Sequence, residues 1–343
     1  VDQIVITLLN GLSAGLLLFM LSAGLTLIFS MMGVLNFAHA SFYMLGAYLG
    51  WQLGGLTGFW PALLLAPLLT GLLGALFEQQ VLRRLQGRGH LPELLVTFGL
   101  SYLVLEVVQL VWGRAAVPFE PPAELQGTAF TLVHSVHDGL SLVRGVAPAA
   151  LCAGDADGLV RCSRFPLTRT FIMAVALLML AALWLLLRLT RIGLVIQAAL
   201  THAPMVEALG HDLQRVRRLV FGCGCALAGL AGVIGGITFV TEPAMASTVG
   251  SIVFVVVVTG GLGSLGGALA GSLLVGLLQT LPLAVDGSLA TLLQRLGVET
   301  GPQTPLWPLL RLSLAQAAPV LPYLLLVAVL AWRPRGLFGG PER

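Results

Sequence analysis

Long apolar runs dominate this chain, near 4–31, 35–54, 60–82, 92–113, 168–188, 216–240, 249–282 and 315–332. Runs of this kind cross a hydrocarbon core of about 30 Å as helices. In lipid every backbone polar group must be satisfied internally, which leaves helices or a closed barrel. The runs are continuous and not alternating, and that selects helices. Composition agrees, with 57% hydrophobic and 10% charged residues, where soluble domains carry about 25% charged. The expectation is an all-α, polytopic transmembrane bundle. It forms a single domain of about 8–10 membrane segments, some broken or re-entrant.

The arginines orient it. Arg83, Arg84 and Arg88 follow the third run; Arg188, Arg191, Arg215, Arg217 and Arg218 flank the segment after the fifth; Arg333 and Arg335 follow the last. The positive-inside rule puts all three groups on the cytoplasmic side. The N-terminus and the polar loop 114–167 then lie outside, and the C-terminus is cytoplasmic. Parity requires 249–282 to be broken, since as one helix it would measure about 51 Å. The break is expected at Gly260-Gly261-Leu262-Gly263-Ser264-Leu265-Gly266-Gly267. A short or re-entrant piece near 249–260 precedes it, a full span follows to about 282, and 283–313 is a second external loop. The first run is also overlong, so tilt or a break is expected there.

Composition excludes some chemistry. All 18 basic residues are arginine. A phosphate loop of the GxxxxGK[ST] type needs its lysine, so any ATPase driving this chain is a separate polypeptide, and the glycines at 260–267 cradle no phosphate. Lysine Schiff-base chemistry is excluded likewise. Cys223 and Cys225 lie in an apolar run and read as small packing residues. Cys152 and Cys162 lie in the external loop, where an oxidising compartment would make them a disulfide. No cleavable signal is expected, because the first run is too long and lacks a basic flank. Small residues four apart recur at Gly11/Gly15, Gly46/Gly50, Gly232/Gly236, Gly263/Gly267 and Gly267/Gly271, a spacing that brings helices close in lipid.

Polar residues inside apolar runs mark functional positions, because burying them in lipid is costly. Asn36, His39 and Ser41 stand together after the first run and are candidates for a substrate path. Asn36 also reads as a cap for the second helix, and His39 as a packing residue with a hydrogen bond. No second ligand stands at metal spacing from His39, so no metal site is expected. Glu106, with Gln109 three residues on, is read either as a pathway or gating acid or as a hydrogen-bonding partner of a neighbouring helix. A proton-coupled secondary transporter using Glu106 is the alternative this residue raises. An intramembrane enzyme built on His39 and Ser41 would be a weak set. The segment 189–214 contains Glu207-Ala208-Leu209-Gly210 followed by Asp212. It reads as a cytoplasmic connector with a short helix ending at Gly210, of a kind that docks into a partner's groove.

Three blocks carry a resemblance. GLTLIFSMMGVLNFAHASFYMLGAY, EALGHDLQRVRRLVFGCGCALAGLAGVIGG and VVVVTGGLGSLGGALAGSLLVGLLQ, with a closing RPRGLFG, resemble permease subunits of the branched-chain amino acid ABC importer family, in the family's order over most of the chain. Urea and short-amide permeases are close relatives. The resemblance implies a multi-pass permease of the bacterial inner membrane, with no cofactor of its own. Its partners would be a second, homologous or identical permease, two cytoplasmic ABC ATPase subunits that hold ATP and magnesium, and a periplasmic substrate-binding protein. It also implies that Glu207, Ala208, Leu209 and Gly210 form the coupling helix that docks on an ATPase. Met205 and Val206 depart from the family pattern, and the loops 114–167 and 283–313 are longer than usual.

Overall fold

The computed structural model describes residues 2–33, 35–85, 89–135, 139–152, 160–284 and 312–339, with 288, 290, 293, 294 and 307. Arg88 and most of 283–313 lie outside the described residues. Helix α1, Asp2–Met32, is one unbroken helix of 31 residues, about 46 Å long, so the overlong first run is not interrupted. It stops at Gly33, whose φ of +70° is a left-handed conformation that glycine adopts without strain. Helix α2 spans His39–Thr57. Helix α3, Phe59–Phe77, continues through a π turn at Glu78–Leu82 to Leu85. Helix α4 is His90–Trp112.

The loop after α4 carries structure that hydropathy does not announce. Strands β1 (Thr128–Ser135), β2 (Gly139–Arg144) and β3 (Val160–Pro166) form an antiparallel sheet in the order β2-β1-β3. Leu132 lies opposite Leu142 on one side and Ser163 on the other. Phe130 stacks on the buried Phe165 with centroids 5.1 Å apart. Cys152, at the end of a short helix, is disulfide-bonded to Cys162 of β3.

Helix α5, Leu167–Leu189, is followed by α6, Arg191–Ala208, and α7, Leu213–Gly236. Helices α8, Met245–Gly260, and α9, Leu265–Thr280, are the two halves of the broken run. The turn between them uses Gly261 and Gly263 at positive φ, and Ser264 Oγ accepts from Gly267 N–H at 3.1 Å to start α9. Helix α10 is Leu321–Trp332. The RPRGLFG tail returns to this turn, where Leu337 and Phe338 donate their N–H groups to the carbonyls of Thr259 and Gly260 at 2.8 and 3.0 Å. The third resemblance block and its closing RPRGLFG therefore meet in space.

Six helices among the described residues are long and apolar enough to cross a membrane: α1, α3, α4, α5, α7 and α9; α8 and α10 are shorter apolar helices. The core lies where α1, α2, α3, α7 and α9 pack together, and α7 is the most enclosed span while α4 is the least. Glycines let these backbones touch. A Cβ on Gly46 of α2 would stand 2.5 Å from the Gly229 Cα of α7, and one on Gly232 would meet the Tyr43 carbonyl. A Cβ on Gly15 of α1 would come within 2.9 Å of the α9 backbone at Leu273.

Candidate functional site: a cleft open on one flank and an exposed knuckle

A cleft of about 870 Å³ runs from the α1–α2 turn to the loop after α4. Its walls are the start of α2, one face of α4, the first turns of α8, and Tyr323 and Leu326 of α10. Phe37, Phe98, Tyr102, Phe254 and Tyr323 remain exposed on it, so the cleft has no wall on its outer flank.

Asn36, His39 and Ser41 all line this cleft. Asn36 closes the turn before α2: its Oδ1 accepts from Ala38 N–H and its backbone carbonyl from His39 N–H, both at 3.1 Å. The side chain is 4% exposed, and its Nδ2 finds no partner among the described residues. His39 Nε2 lies 2.9 Å from the Leu21 carbonyl of α1. A carbonyl only accepts, so Nε2 carries the proton, and in the neutral ring Nδ1 is an acceptor; it too is buried without a partner among the described residues. Gly24 makes room for this ring, since a Cβ there would stand 3.0 Å from His39 Cε1. Ser41 Oγ donates to the Ser101 carbonyl at 3.3 Å, and Phe37 N–H to Thr97 Oγ1 at 3.4 Å, which fastens the start of α2 to α4. On the far wall Ser251 and Tyr323 share a hydrogen bond of 2.9 Å that joins α8 to α10.

At the end of the bundle where α1 stops, α6 and α7 form a knuckle. Helix α6 begins with Thr190 Oγ1 accepting from Gly193 N–H at 3.0 Å. It ends with Gly210 at φ +87°, where Gly210 N–H donates to the Glu207 carbonyl and His211 N–H to the Val206 carbonyl. That pair of bonds is the Schellman pattern for which glycine is suited. Asp212 Oδ1 then caps α7, accepting from Gln214 and Arg215 N–H at 3.1 Å. Glu207, Ala208, Leu209 and Gly210 are all exposed, Leu209 by 79%. Val206 turns inward and packs in a cluster with Leu27 and Met31 of α1 and Leu213 of α7. The knuckle is thus coupled by packing to the end of α1, next to the turn that carries Asn36.

Residues 7–330 match the family model described as branched-chain amino acid transport system / permease component. The chain belongs to this family. It is 26% identical over 347 residues to the high-affinity branched-chain amino acid transport system permease protein BraD of Pseudomonas aeruginosa, covering 98% of this chain and 95% of that protein. It is 26% identical over 291 residues to the corresponding LivH of Escherichia coli, covering 80% and 84%. A probable LivH of Methanocaldococcus jannaschii is 26% identical over 269 residues, covering 77% and 76%. No solved structure matches.

These relatives are transport permeases and not enzymes, which retires the reading of His39 and Ser41 as a catalytic set; the chain is a multi-pass membrane protein of a permease family. Glu106 does not reach the cleft. It lies exposed on the outer face of α4 between Leu103 and Leu110, while Gln109 does line the cleft. Among the described residues no three His, Cys, Asp or Glu side chains gather as metal ligands. Two lining residues escape a reading by span alone, Arg114 and Glu242. Glu242 reads in sequence as the end of a span near 240, but α7 stops at Gly236, and Glu242 instead heads the turn into α8.

Proposed function

We propose that this chain is one permease half of an ABC importer for branched-chain amino acids in the bacterial inner membrane. Its observational support is the cleft along the bundle that lacks a wall, together with a knuckle at the end where the α1–α2 turn closes it. A second permease, homologous or identical, supplies the missing wall. A periplasmic binding protein delivers substrate at the end carrying the sheet. Of two cytoplasmic ATPase subunits, which hold ATP and magnesium, one receives Glu207–Gly210 of this chain and the other receives the second permease. In this reading the N-terminus is outside and the C-terminus cytoplasmic. ATPase closure pushes the knuckle, and the packing of Val206 against Leu27 and Met31 passes the displacement to α1 and to the turn at Asn36. Urea or short amides are the substrates that a near relative of this reading would take.

The test is reconstitution with the partner subunits in proteoliposomes. ATP-driven leucine uptake is expected, and Leu209→Arg is expected to lower it about tenfold, as loss of a buried interface anchor does. Uptake by this chain alone without ATP, or uptake driven by a pH gradient and lost in Glu106→Gln, overturns the reading in favour of a proton-coupled transporter.

A further inference from the structure

The cleft is lined by 25 residues, and only Arg114 and Glu242 among them carry a formal charge. They stand at the same mouth. The Val117 N–H to Thr241 carbonyl bond of 2.9 Å ties the segment after α4 to the segment before α8, which sets Arg114 and Glu242 on adjoining stretches of backbone. Yet neither side chain makes an ion pair or a hydrogen bond with any described residue. Both remain exposed. Ala244, just before α8, and Ala246 and Ser247 in its first turn lie on the same lining, and the positive end of a helix favours a carboxylate. Below the mouth the wall is apolar at Leu105, Val253 and Leu326.

We propose that Arg114 and Glu242 read the two charges of a zwitterionic α-amino acid as it enters the cleft. The carboxylate goes to Arg114 and the first turn of α8, the ammonium to Glu242, and the aliphatic side chain points down the apolar wall. This rests on the importer reading above and narrows it. A neutral amide or urea carries neither charge and gains nothing from the pair, whereas a zwitterion engages both ends at once. An unpaired cation and anion at one mouth are the complement of a dipolar ligand, and a pair that already neutralised itself would not be.

The experiment uses the reconstituted importer, with uptake of radiolabelled leucine and of 4-methylpentanamide measured per assembled complex. Arg114→Gln and Glu242→Gln are each expected to lower leucine uptake about tenfold, the scale of one lost charge-assisted hydrogen bond. The exchange Arg114→Glu with Glu242→Arg is expected to recover part of the loss, because a zwitterion can turn end for end. Co-sedimentation of the loaded binding protein with the proteoliposomes reports docking separately. Leucine uptake unchanged in both single variants overturns the proposal. So does a loss of docking in either variant, which would assign the charges to the binding protein, or a loss that the exchange does not relieve. Wild-type uptake of the amide but not of leucine overturns it while leaving the importer standing; absence of any ATP-driven uptake removes the importer reading itself.

Discussion

The amide of Asn36 has one atom in use and one to spare. Its Oδ1 closes the turn that starts α2, while Nδ2 lies buried on the cleft lining without a described partner. A side-chain oxygen at this kind of position is worth about 1 kcal/mol. Asn36→Ala is therefore expected to lower the thermal midpoint in detergent by that energy, and Asn36→Ser to restore part of it. If leucine uptake per assembled complex also falls in Asn36→Ser, the spare donor contributes to the path as well as the fold. Only the turn was legible in the sequence, because asparagine favours turns that precede a helix; the cap position itself falls to Ala38, two residues on. Glu106 was less legible. A mid-span acid is conspicuous, but the few polar residues of α4 are spread around a largely apolar helix, and no pattern tells which face meets the cleft. Arg114 and Glu242 were hidden for a different reason, since charges beside span ends are ordinary in any membrane protein, and only the fold brings residues 128 positions apart to one mouth.

At the scale of elements, the glycine spacings were the most reliable guide. Gly46 and Gly232 meet the opposite backbone directly, and Gly11 and Gly15 face α9 at Leu277 and Leu273. Gly46→Val places three carbons where the α7 backbone already stands, and overpacking of this kind costs about 1–3 kcal/mol or more. Folded yield is expected to fall sharply in that variant. Gly55→Val, with nothing within 4 Å of its Cβ, is the matched control on the same helix and is expected to fold normally; fluorescence-detected gel filtration reads both. The break between α8 and α9 was likewise visible from helix length and glycines. The sheet was not. Its strands are short, and β1 pairs with β3 across a long separation in sequence, so local hydropathy holds no sign of the pairing. The length of α6 was also underestimated, because its amphipathic face packs on only a few residues of α1 and α7.

For the whole molecule, apolar length gives the order of the helices long enough to span, and the direction proposed for the stack rests on the arginines. That direction makes a simple prediction. A cysteine at Leu140 in β2 is expected to react with a membrane-impermeant maleimide from the periplasmic side, and one at Leu209 only after the cytoplasmic face is opened. Both side chains are exposed, so accessibility itself does not limit either reaction, and the reverse pattern would invert the assigned topology. The cleft could not be foreseen at this scale, as it draws on five helices from distant parts of the chain and is open on one side.

The tail that bonds to Thr259 and Gly260 has a consequence for the order of assembly. The last carbonyls of α8 are satisfied by Leu337 and Phe338, residues synthesised only after α9 and α10. The last turn of α8 thus stays open while those later helices are being inserted, and it is closed by residues that follow them out of the ribosome. Biogenesis of the pathway is in this sense back-loaded: a nascent chain stalled before residue 337 would carry every membrane segment described here and still lack the closure of α8.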